Sequence, residues 1–370
     1  MIISKIKLVN FRNYSNTTIQ LNEKMNIFVG DNAQGKTNIL EGIVILALTK
    51  SHRLGNNPNI IMFNKTKTKL SGTVKRDKVI SNLEIEISED SKKLKINKTN
   101  IKKITDYISN LNVIVFTPDD LEIIKGSPSI RRNLLNIELS QISNQYINCY
   151  NEYNKLLKTR NEYLKVLFNN NIADEKYLDI ITDKLIEKAV FIYQKRKEYI
   201  DLVNENINKY YKDISNEDGL IVKYLPNIEL EDYDSESIRK KLKHKYKKNY
   251  LKELNYGMTI YGPHRDDFYF EYQGKDLKYY GSQGQQKLAV LSFKISEIPI
   301  FEEITKTKPV VLLDDIFSEF DIRKRNKVLK IINEKEIQSI ITTTDLKNIN
   351  RKYLEDTFIF NVKNGVVERK

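Results

Sequence analysis

The sequence predicts an α/β fold in which a head, made from both ends of the chain, is interrupted by an inserted all-helical lobe, an antiparallel helical arm. Three observations support this prediction. Strand and helix patterns alternate in the first hundred residues, long helical periodicity almost free of Gly and Pro fills the middle, and the alternation returns from Tyr256. We therefore assign residues 1–116 and 250–370 to the discontinuous head, lobe I, and residues 117–249 to the arm, lobe II.

The N-terminal part of the chain has the patterns of several strands and one helix. Ile2 to Val9 alternate apolar and polar residues, and a second apolar run, Met25 to Val29, leads straight into a glycine-bounded loop. Helical spacing follows from Thr37 to Leu48, and the stretch from Lys69 to Ile96 indicates three short strands. A further strand is predicted from Val113 to Phe116.

The middle of the chain predicts two long amphipathic helices. Apolar and aromatic residues recur at three- and four-residue steps from Leu135 to Leu167, and again from Leu178 to Val203. The polar break Asn169 to Asn171 is short, so the two helices should form an antiparallel hairpin of about 60 Å at 1.5 Å per residue. We interpret its many tyrosines as a packing seam. The basic run from Arg239 to Lys248 either follows a phosphate backbone or simply faces water.

Composition narrows the class of partner and compartment. The 62 Lys and Arg residues against 49 Asp and Glu give a net charge of +13, which suits a polyanion such as nucleic acid or an anionic membrane face. The alternative is that scattered lysines only keep the protein soluble. The single cysteine, Cys149, cannot form an internal disulfide, and no apolar run approaches the roughly 20 residues of a membrane span. We therefore expect a cytoplasmic protein.

One segment predicts nucleotide binding. Residues 30–37, Gly-Asp-Asn-Ala-Gln-Gly-Lys-Thr, match the G-x-x-x-x-G-K-[ST] pattern between a predicted strand and a predicted helix. Their backbone amides can converge on phosphate oxygens, Lys36 can reach the β and γ phosphates, and the Thr37 hydroxyl can bind Mg²⁺. The expected ATP-binding residues of this phosphate loop are Gly30, Asp31, Asn32, Ala33, Gln34, Gly35, Lys36, Thr37 and Asn38.

An acidic pair follows a buried strand near the C-terminus. Val310 to Leu313 are wholly apolar and are followed by Asp314 and Asp315, as expected where a parallel strand ends at a ligand. Asp314 can complete the Mg²⁺ shell with Thr37, and Asp315 can accept a proton from the attacking water. We therefore expect Lys36 and Asp315 to act in catalysis, although an Asp pair can also cap a helix.

A second candidate anion site lies about 30 residues before that strand. The segment Gly281 to Gln286, Gly-Ser-Gln-Gly-Gln-Gln, opens an apolar helix, where a hydroxyl and free amides can bind an anion. A chain that already has a phosphate loop has no evident use for this second site. The economical explanation is that it serves the nucleotide of a neighbouring molecule.

The order of these motifs resembles that of the ABC-type ATPases. The S-x-G-Q sequence before an apolar strand with two acids resembles their signature, which completes the ATP site across a head-to-head dimer. The resemblance implies that Ser282, Gly284 and Gln285 contact the nucleotide of the other subunit, with Ser282 taking part in catalysis. The stretch from Ser318 to Asp321 is similar to the loop that crosses the dimer interface in that superfamily.

Further segments resemble the RecF family of SMC-like ABC ATPases along nearly the whole chain. They are residues 10–14, 30–41, 50–53, 116–121, 125–128 with the Arg pair 131–132, 262–267 and 342–345. The resemblance implies a homodimer that forms with ATP, binds gapped or single-strand to double-strand junction DNA, and helps to load the recombinase RecA, with RecR and RecO as partners. Thr344 stands where many ABC proteins carry a His, which implies weak ATPase activity.

Closure of two heads on ATP would bring their basic faces into one surface for DNA. The candidate contacts on this surface are Arg12, Arg53, Lys125, Arg131 and Arg132. Each has an alternative explanation as a surface salt bridge or a packing residue. The segment Gly262 to Asp267 could act near the nucleotide, but we favour a buried polar network.

Two alternative functions stay open at this point. A phosphate-loop kinase for a small metabolite shares the loop and the acidic pair, but the segment Gly281 to Gln286 argues against it. An interaction scaffold that uses its nucleotide only for stability is the other alternative, and it predicts no effect of ATP on DNA binding.

Overall fold

The computed structural model describes residues 1–53, 60–169, 175–315, 320–346, 349–350 and 353–370. The chain forms two compact units: the first contains Met1–Leu121, Ile207–Asp218 and Lys287–Lys370, and the second contains Glu122–Asn206 and Gly219–Gln286. The second unit therefore extends past residue 250, where the sequence pattern placed the return to the head. Within the described part of the chain, no helix is long and apolar enough to cross a membrane.

The strands and helices are numbered in chain order. The strands are β1 (Ile2–Phe11), β2 (Tyr14–Gln20), β3 (Met25–Val29), β4 (Lys67–Arg76), β5 (Val79–Ser88), β6 (Lys92–Ile96), β7 (Thr99–Ile101), β8 (Val113–Phe116), β9 (Leu220–Leu225), β10 (Asp267–Tyr272), β11 (Lys275–Asp276), β12 (Val310–Leu313), β13 (Ser339–Thr343), β14 (Thr357–Lys363) and β15 (Val366–Arg369). The helices are α1 (Lys36–Leu48), α2 (Ile104–Tyr107), α3 (Glu122–Lys125), α4 (Pro128–Ile142), α5 (Asn144–Asn169), α6 (Glu175–Ser215), α7 (Ser235–Lys248), α8 (Tyr250–Tyr256), α9 (Leu277–Tyr280), α10 (Gln283–Thr305) and α11 (Ile322–Glu334).

The first unit contains two six-stranded sheets. One is antiparallel, in the order β2-β1-β4-β5-β6-β7, and its strands alternate buried apolar with exposed polar residues. Helix α1 contacts strands of both sheets, which explains why its buried residues lie on all sides. Gly72 of β4 permits a close approach, because a Cβ there would lie 2.4 Å from Cδ2 of Leu46.

The other sheet of the first unit positions the chemistry. Its order is β15-β14-β3-β13-β12-β8, and all neighbours are parallel except the edge hairpin of β14 and β15. Strands β12 and β13 are buried throughout; β12 is a continuous apolar run, whereas β13 also buries Ser339, Thr342 and Thr343. Parallel pairing puts the carboxyl ends of β3, β8, β12 and β13 at one edge. The predicted strands at Met25, Val113 and Val310 and the predicted helix in α1 are confirmed.

The first long helix predicted for the arm differs from the structure. The first predicted long helix, from Leu135 to Leu167, is interrupted by Ser143, whose extended backbone (φ −144°, ψ 108°) ends α4. The Ser143 hydroxyl accepts a hydrogen bond from the amide of Tyr146, 3.1 Å away, and so caps the start of α5. The prediction of a single helix was wrong because apolar periodicity continues across this cap.

Helix α5 and the part of α6 that ends at Asn206 run antiparallel in the second unit. Lys188 forms an ion pair with Glu152 at 3.0 Å, and Arg160 Nε donates to Thr182 Oγ1 at 2.9 Å, so later residues of α5 meet earlier residues of α6. The predicted hairpin arrangement is confirmed for these helices. Of the predicted polar break, Asn169 ends α5, and residues 170–174 lie outside the described residues.

The second unit also contains a small antiparallel sheet in the order β11-β10-β9, so the prediction of an all-helical lobe was wrong. Leu220 and Val222 are buried on β9, as are Phe268 and Phe270 on β10, and in each strand the buried residues alternate with less buried ones. Val222 lies directly opposite Phe270. Gly219 directly precedes β9, and its φ of 101° is a conformation that favours glycine. The pairing of β9 with β10 explains why residues beyond 250 belong to the second unit.

A buried ion pair connects the helices of the second unit. Arg160 of α5 is 1% exposed, and its Nη2 donates to Oε2 of Glu253 on α8 at 2.7 Å. Its guanidinium also donates to Thr259 Oγ1 at 2.7 Å and lies 4.6 Å from the ring centroid of Tyr246 on α7. Because both charges are removed from water, the pair is stable only while every partner stays in place.

We predict that Arg160→Met lowers the free energy of unfolding by about 3 to 5 kcal/mol, because the Glu253 carboxylate would remain buried without its cation. Lys158→Met on the same helix is the matched control, since Lys158 is 80% exposed in its pair with Glu162 and should matter by less than about 0.5 kcal/mol. Urea denaturation followed by circular dichroism measures both. Equal stabilities of the two variants would contradict the structural role of Arg160.

Candidate nucleotide-binding site

Contacts within the first unit fix the backbone of the phosphate loop. Gly30 allows the loop to pass close to β14, because a Cβ there would lie 2.3 Å from the Val362 carbonyl oxygen. Gly35 has φ at 110°, and a Cβ there would meet the Asn13 side chain at 2.4 Å. Tyr14 Oη donates to the Gly35 carbonyl at 3.0 Å, and Asn13 Nδ2 donates to the Gln34 carbonyl at 3.1 Å. The backbone amides of the loop are therefore preorganised.

Lys36 begins α1 directly behind this loop and is buried. Its Nζ donates to the carbonyl oxygens of Gly30 at 2.7 Å and Asp31 at 2.8 Å. Burial lowers the pKa of this ammonium group, and the negative charges of Asp315 and Asp314 partly oppose the shift. A triphosphate at this position would replace two neutral acceptors by charged ones, which form stronger hydrogen bonds.

Thr37 and Asp314, the two predicted metal ligands, are in contact. Thr37 Oγ1 on α1 donates to Oδ1 of Asp314, which follows β12, at 2.8 Å. Thr342 of β13 donates to the same oxygen at 2.7 Å and accepts a hydrogen bond from the Asp315 amide at 2.9 Å. The hydroxyl and carboxylate oxygens are the hard ligands that Mg²⁺ prefers, so the residues fit that ion.

Asp315 occupies a strained backbone conformation beside this pair. Its φ of 46° lies in the left-handed region, which is costly for a residue with a Cβ. Of the predicted interface loop, Ser318 and Glu319 lie outside the described residues, and Asp321 caps α11 by accepting from the Lys324 amide at 3.0 Å.

Ser282 lies at the exposed start of α10 and belongs to the second unit. Its Oγ accepts from the Gln285 amide at 3.2 Å, and Gln285 Oε1 accepts from the Ser282 amide at 3.0 Å, which is a capping box. Gly284 is also exposed, and a Cβ there would meet nothing closer than Ser282 Oγ at 4.0 Å. Contacts within the chain therefore do not require glycine at position 284.

Arg12 and Arg53, two candidate DNA contacts, form hydrogen bonds with other side chains of the protein. Arg12 donates from Nε at 3.0 Å and from Nη2 at 2.7 Å to Glu41, which is fully buried on α1. Arg53 Nη1 donates to Asn38 Oδ1 at 3.2 Å. Burial raises the pKa of Glu41, but hydrogen bonds from Arg12 and Ser51 outweigh it and hold that pKa below its usual value. Arg12 thus positions the helix that follows the phosphate loop.

The other candidate DNA contacts have different environments in the second unit. Arg131 is buried, and all three of its nitrogen atoms donate to protein oxygens, including a bidentate pair with Asp267. Arg131 therefore uses most of its donors inside the protein, and its role as a DNA contact stays a prediction. Arg132 donates to the Asp266 carbonyl at 2.7 Å, and burial lowers its pKa, whereas Lys125 is exposed on α3.

The segment Gly262 to Asp267 forms the buried network that we favoured. Asp266 accepts from Arg196 at 2.8 Å and from the hydroxyl of Tyr224, and the ring nitrogen Nδ1 of His264 lies 2.6 Å from Tyr153 Oη. Burial lowers the pKa of His264 to about 4, so this imidazole is neutral at pH 7. Sequence reasoning assigned no role to Thr342 or Glu41. A polar residue inside a buried strand or helix was the available signal for both.

Comparison with known proteins agrees with this geometry. The chain matches the family model described as RecF/RecN/SMC N terminal domain over residues 2–367. It is 38% identical over 371 residues to the DNA replication and repair protein RecF of Shouchella clausii (strain KSM-K16), and 36% identical over 370 residues to that of Listeria monocytogenes serotype 4b (strain CLIP80459). Each alignment covers 100% of this chain and 100% of the relative.

Solved structures give the same result. A structure of the recombination mediator protein RecF with ATP, from the RecFOR pathway, has a TM-score of 0.91 at 32% identity and covers 100% of this chain and 97% of that chain. The corresponding RecF-ATPrS structure has a TM-score of 0.90 at 33% identity, with 99% and 97% covered. An Smc head domain from Pyrococcus furiosus shares the fold, with a TM-score of 0.56 at 16% identity and 100% and 96% covered.

We predict that Arg12→Ala destabilises the protein by about 2 to 3 kcal/mol at pH 7.5, somewhat less than for a fully buried pair because a quarter of the Arg12 side chain is exposed. The folded-state pKa of Glu41 is lowered, so its contribution is present above the unfolded pKa and is lost as pH falls through the folded pKa. The difference between wild type and variant should therefore hold from pH 7.5 down to about pH 5 and narrow as the pH falls below 4.5, the usual pKa of Glu, in urea denaturation. Exposed Arg265→Ala is the control, and a pH-independent difference would contradict the role of the Glu41 charge.

Proposed function

Because this chain belongs to the RecF family of SMC-like ABC ATPases, we propose that it is an ATP-dependent DNA-binding protein that acts as a recombination mediator. The single observation that supports this best is the exposed start of α10. There Ser282 and Gly284 present a capped helix N-terminus with open space around it, although the phosphate loop is supplied elsewhere in the chain. A site of this form suits a nucleotide carried by a second copy.

ATP hydrolysis in this proposal uses groups of the first unit. The loop amides and Lys36 hold the phosphates, and Thr37 with Asp314 would hold Mg²⁺, which neutralises the charge of the phosphoryl group. Asp315 orients a water molecule. As the water oxygen bonds to the γ phosphorus, the bond from that phosphorus to the bridging oxygen breaks, and the water proton passes to the Asp315 carboxylate. Thr344 places no positive charge near the phosphate, which supports slow turnover.

ATP would also join two copies of the chain. Ser282, Gly284 and Gln285 of one copy would meet the γ-phosphate held by the loop of the other, so the interface is complete only with a triphosphate. ADP lacks the phosphate that both copies contact. Hydrolysis by Asp315 would therefore release the dimer, and we propose this release as the step that lets the protein leave DNA.

DNA binding is supported by the charge of the chain and by α7. The net charge is +13, and on α7 Lys240, Lys243 and Lys247 are exposed at steps of one helical turn. Buried Ile238, Leu242 and Tyr246 hold the opposite side of this helix. Binding at gaps or strand junctions, and assistance to RecA with RecR and RecO, are the finer parts of the proposal and rest on the family.

A kinase remains the competing function for the same loop, and oligomeric state separates the two. We predict that Asp315→Asn, which slows hydrolysis, is a dimer with ATP and a monomer with ADP in multi-angle light scattering. Adding Gly284→Val should keep it monomeric with ATP, because a side chain would block the approaching nucleotide. A matched control for folding is the melting temperature, which should not fall, since position 284 has open space within the chain. A monomeric Asp315→Asn protein with ATP would favour the kinase.

The DNA function makes a second prediction. Fluorescence anisotropy with a gapped duplex should show binding that is at least about tenfold tighter with ATP than with ADP, since only the dimer joins both basic faces. Lys36→Met should bind as the ADP form does, because the phosphates lose their cation. The affinity should also fall steeply from 50 to 200 mM salt. Equal affinities with ATP, with ADP and for Lys36→Met would support the scaffold alternative instead.

A further inference from the structure

Two neighbouring tyrosines lie on the surface of the second unit just before the Ser282 cap. On α9, Tyr279 is 74% exposed and Tyr280 is 72% exposed. Such exposure is unusual for residues that ordinarily bury much of their ring, and aromatic rings at a surface commonly mark binding sites. The other tyrosines that make the packing seam, such as Tyr146 and Tyr153, are fully buried.

Each exposed ring has its own cation. The Lys278 Nζ lies 5.9 Å from the ring centroid of Tyr279, and the Lys275 Nζ lies 6.0 Å from that of Tyr280. These distances are within the range of cation–π attraction, so the ammonium groups stay beside the rings. The result is two rings and two cations within six residues, 275–280.

A cavity of about 340 Å³ adjoins Tyr279 and Lys278 within the second unit. Its apolar wall includes Ile124, Leu225 and Phe270. By the volume of liquid water, about 30 Å³ per molecule, it would hold roughly ten waters, which is enough for a flat heterocycle with its sugar.

The carboxylates of this cavity are already engaged. Asp267 lines it but forms the bidentate pair with Arg131, and Asp276 accepts from the Lys278 amide at 2.8 Å to cap α9. The groups left for a ligand are therefore rings, alkyl chains and the Lys278 ammonium. Lys125 adds an exposed cation on α3, the helix that supplies Ile124 and packs against α9.

We propose that Tyr279, Tyr280 and the adjoining cavity bind unpaired bases of single-stranded DNA. Base stacking on aromatic rings beside a cationic track is how proteins bind single strands without reading sequence. Each of the two tyrosines has one lysine beside it, just as each base of a single strand is accompanied by one phosphate. A paired duplex, whose bases are stacked inside the helix, offers nothing to either ring. An acidic peptide would need cations but has no reason for two adjacent open rings.

The base site is mechanically joined to the Ser282 cap. Only Gly281 separates Tyr280 from Ser282, and a Cβ at position 281 would lie 2.7 Å from the Leu277 carbonyl oxygen. That same oxygen accepts from the Gly281 amide at 3.1 Å and from the buried Gln286 Nε2 at 2.7 Å. Helix α9 and the first turn of α10 are therefore linked through one carbonyl oxygen. This coupling, which rests on the proposed contact of Ser282 with a nucleotide, makes ATP and single-strand binding interdependent.

The test uses the full chain with ATP and two fluorescent probes, a 20-nucleotide oligo(dT) and a 20-base-pair duplex. Tyr279→Leu and Tyr280→Leu keep an apolar side chain but lose the stacking face. Each should weaken oligo(dT) binding roughly 5- to 100-fold and change duplex binding less than about twofold. Tyr256→Leu is the matched control, since Tyr256 is 61% exposed on α8 and should have no effect on either probe.

A second variant separates the contribution of the tyrosine rings to binding from that of the lysine charge. Lys278→Gln should reduce the slope of log affinity against log salt by about 0.7 for oligo(dT), the value for one phosphate of a single strand. Melting temperature and binding of a fluorescent ATP analogue, measured for every variant, should match wild type because these side chains are at the surface.

The outcomes distinguish this inference from the proposed function. If Tyr279→Leu and Tyr280→Leu bind oligo(dT) as wild type does, or if wild type does not bind it, the inference is overturned and the cavity is left as a protein-docking surface. ATP-dependent duplex binding would still stand in that case. If the tyrosine variants lose oligo(dT) while ATP affects neither probe, the base site is supported and the ATP-dependent clamp is the part that fails.

Discussion

The hydrogen bonds that converge on one oxygen of Asp314 are the constraint on which the nucleotide site depends. Thr37 from α1 and Thr342 from β13 both donate to it, and Asp314 itself directly follows β12. Three elements that are far apart in sequence are thereby joined at the carboxyl edge of one parallel sheet. The edge exists because parallel strands all end on the same side, and the complete burial of β12 and β13 makes that arrangement stable. Loss of any one partner would leave a buried acceptor or hydroxyl unsatisfied.

The second unit uses arginines in place of an entirely apolar core. Arg160, Arg196 and Arg131 are each buried and each bind a carboxylate, Glu253, Asp266 and Asp267 respectively. Such pairs contribute little net stability, because removing two charges from water costs about as much as their attraction returns. They do specify which helices meet, since a shift of one residue would separate buried charges. Some basic residues of the chain thus form buried ion pairs, and others form an exposed lysine surface. The net charge of the chain does not distinguish the two.

This division explains what the sequence could and could not predict. The strands β3, β8 and β12, the phosphate loop and the acidic pair were predicted because each depends on a local pattern: a buried run, then residues with one chemical use. The break at Ser143 depends on a single cap, the strand β9 on a partner strand more than 40 residues away, and the burial of Arg131 on a carboxylate more than a hundred residues away. An arginine looks the same in a sequence whether it faces Asp267 or water. Whether the arginine is buried is decided by its partner in the folded protein, and the periodicity of the sequence carries no information about that partner.

Glycines separate the constraints that come from inside the chain from those that come from outside it. A side chain at Gly30 would strike the Val362 carbonyl, and Gly35 needs a backbone that other residues avoid, so the fold itself requires both. Gly284 has an ordinary helical position and empty space around it, and glycine there weakens the first turn of α10 by up to about 1 kcal/mol relative to alanine. A residue that costs helix stability and has no internal need for its small size is best explained by close approach of another molecule. Helix α9 is linked to that same turn through Leu277 and Gln286, so the proposed nucleotide contact and the proposed base site share one hydrogen-bonded segment.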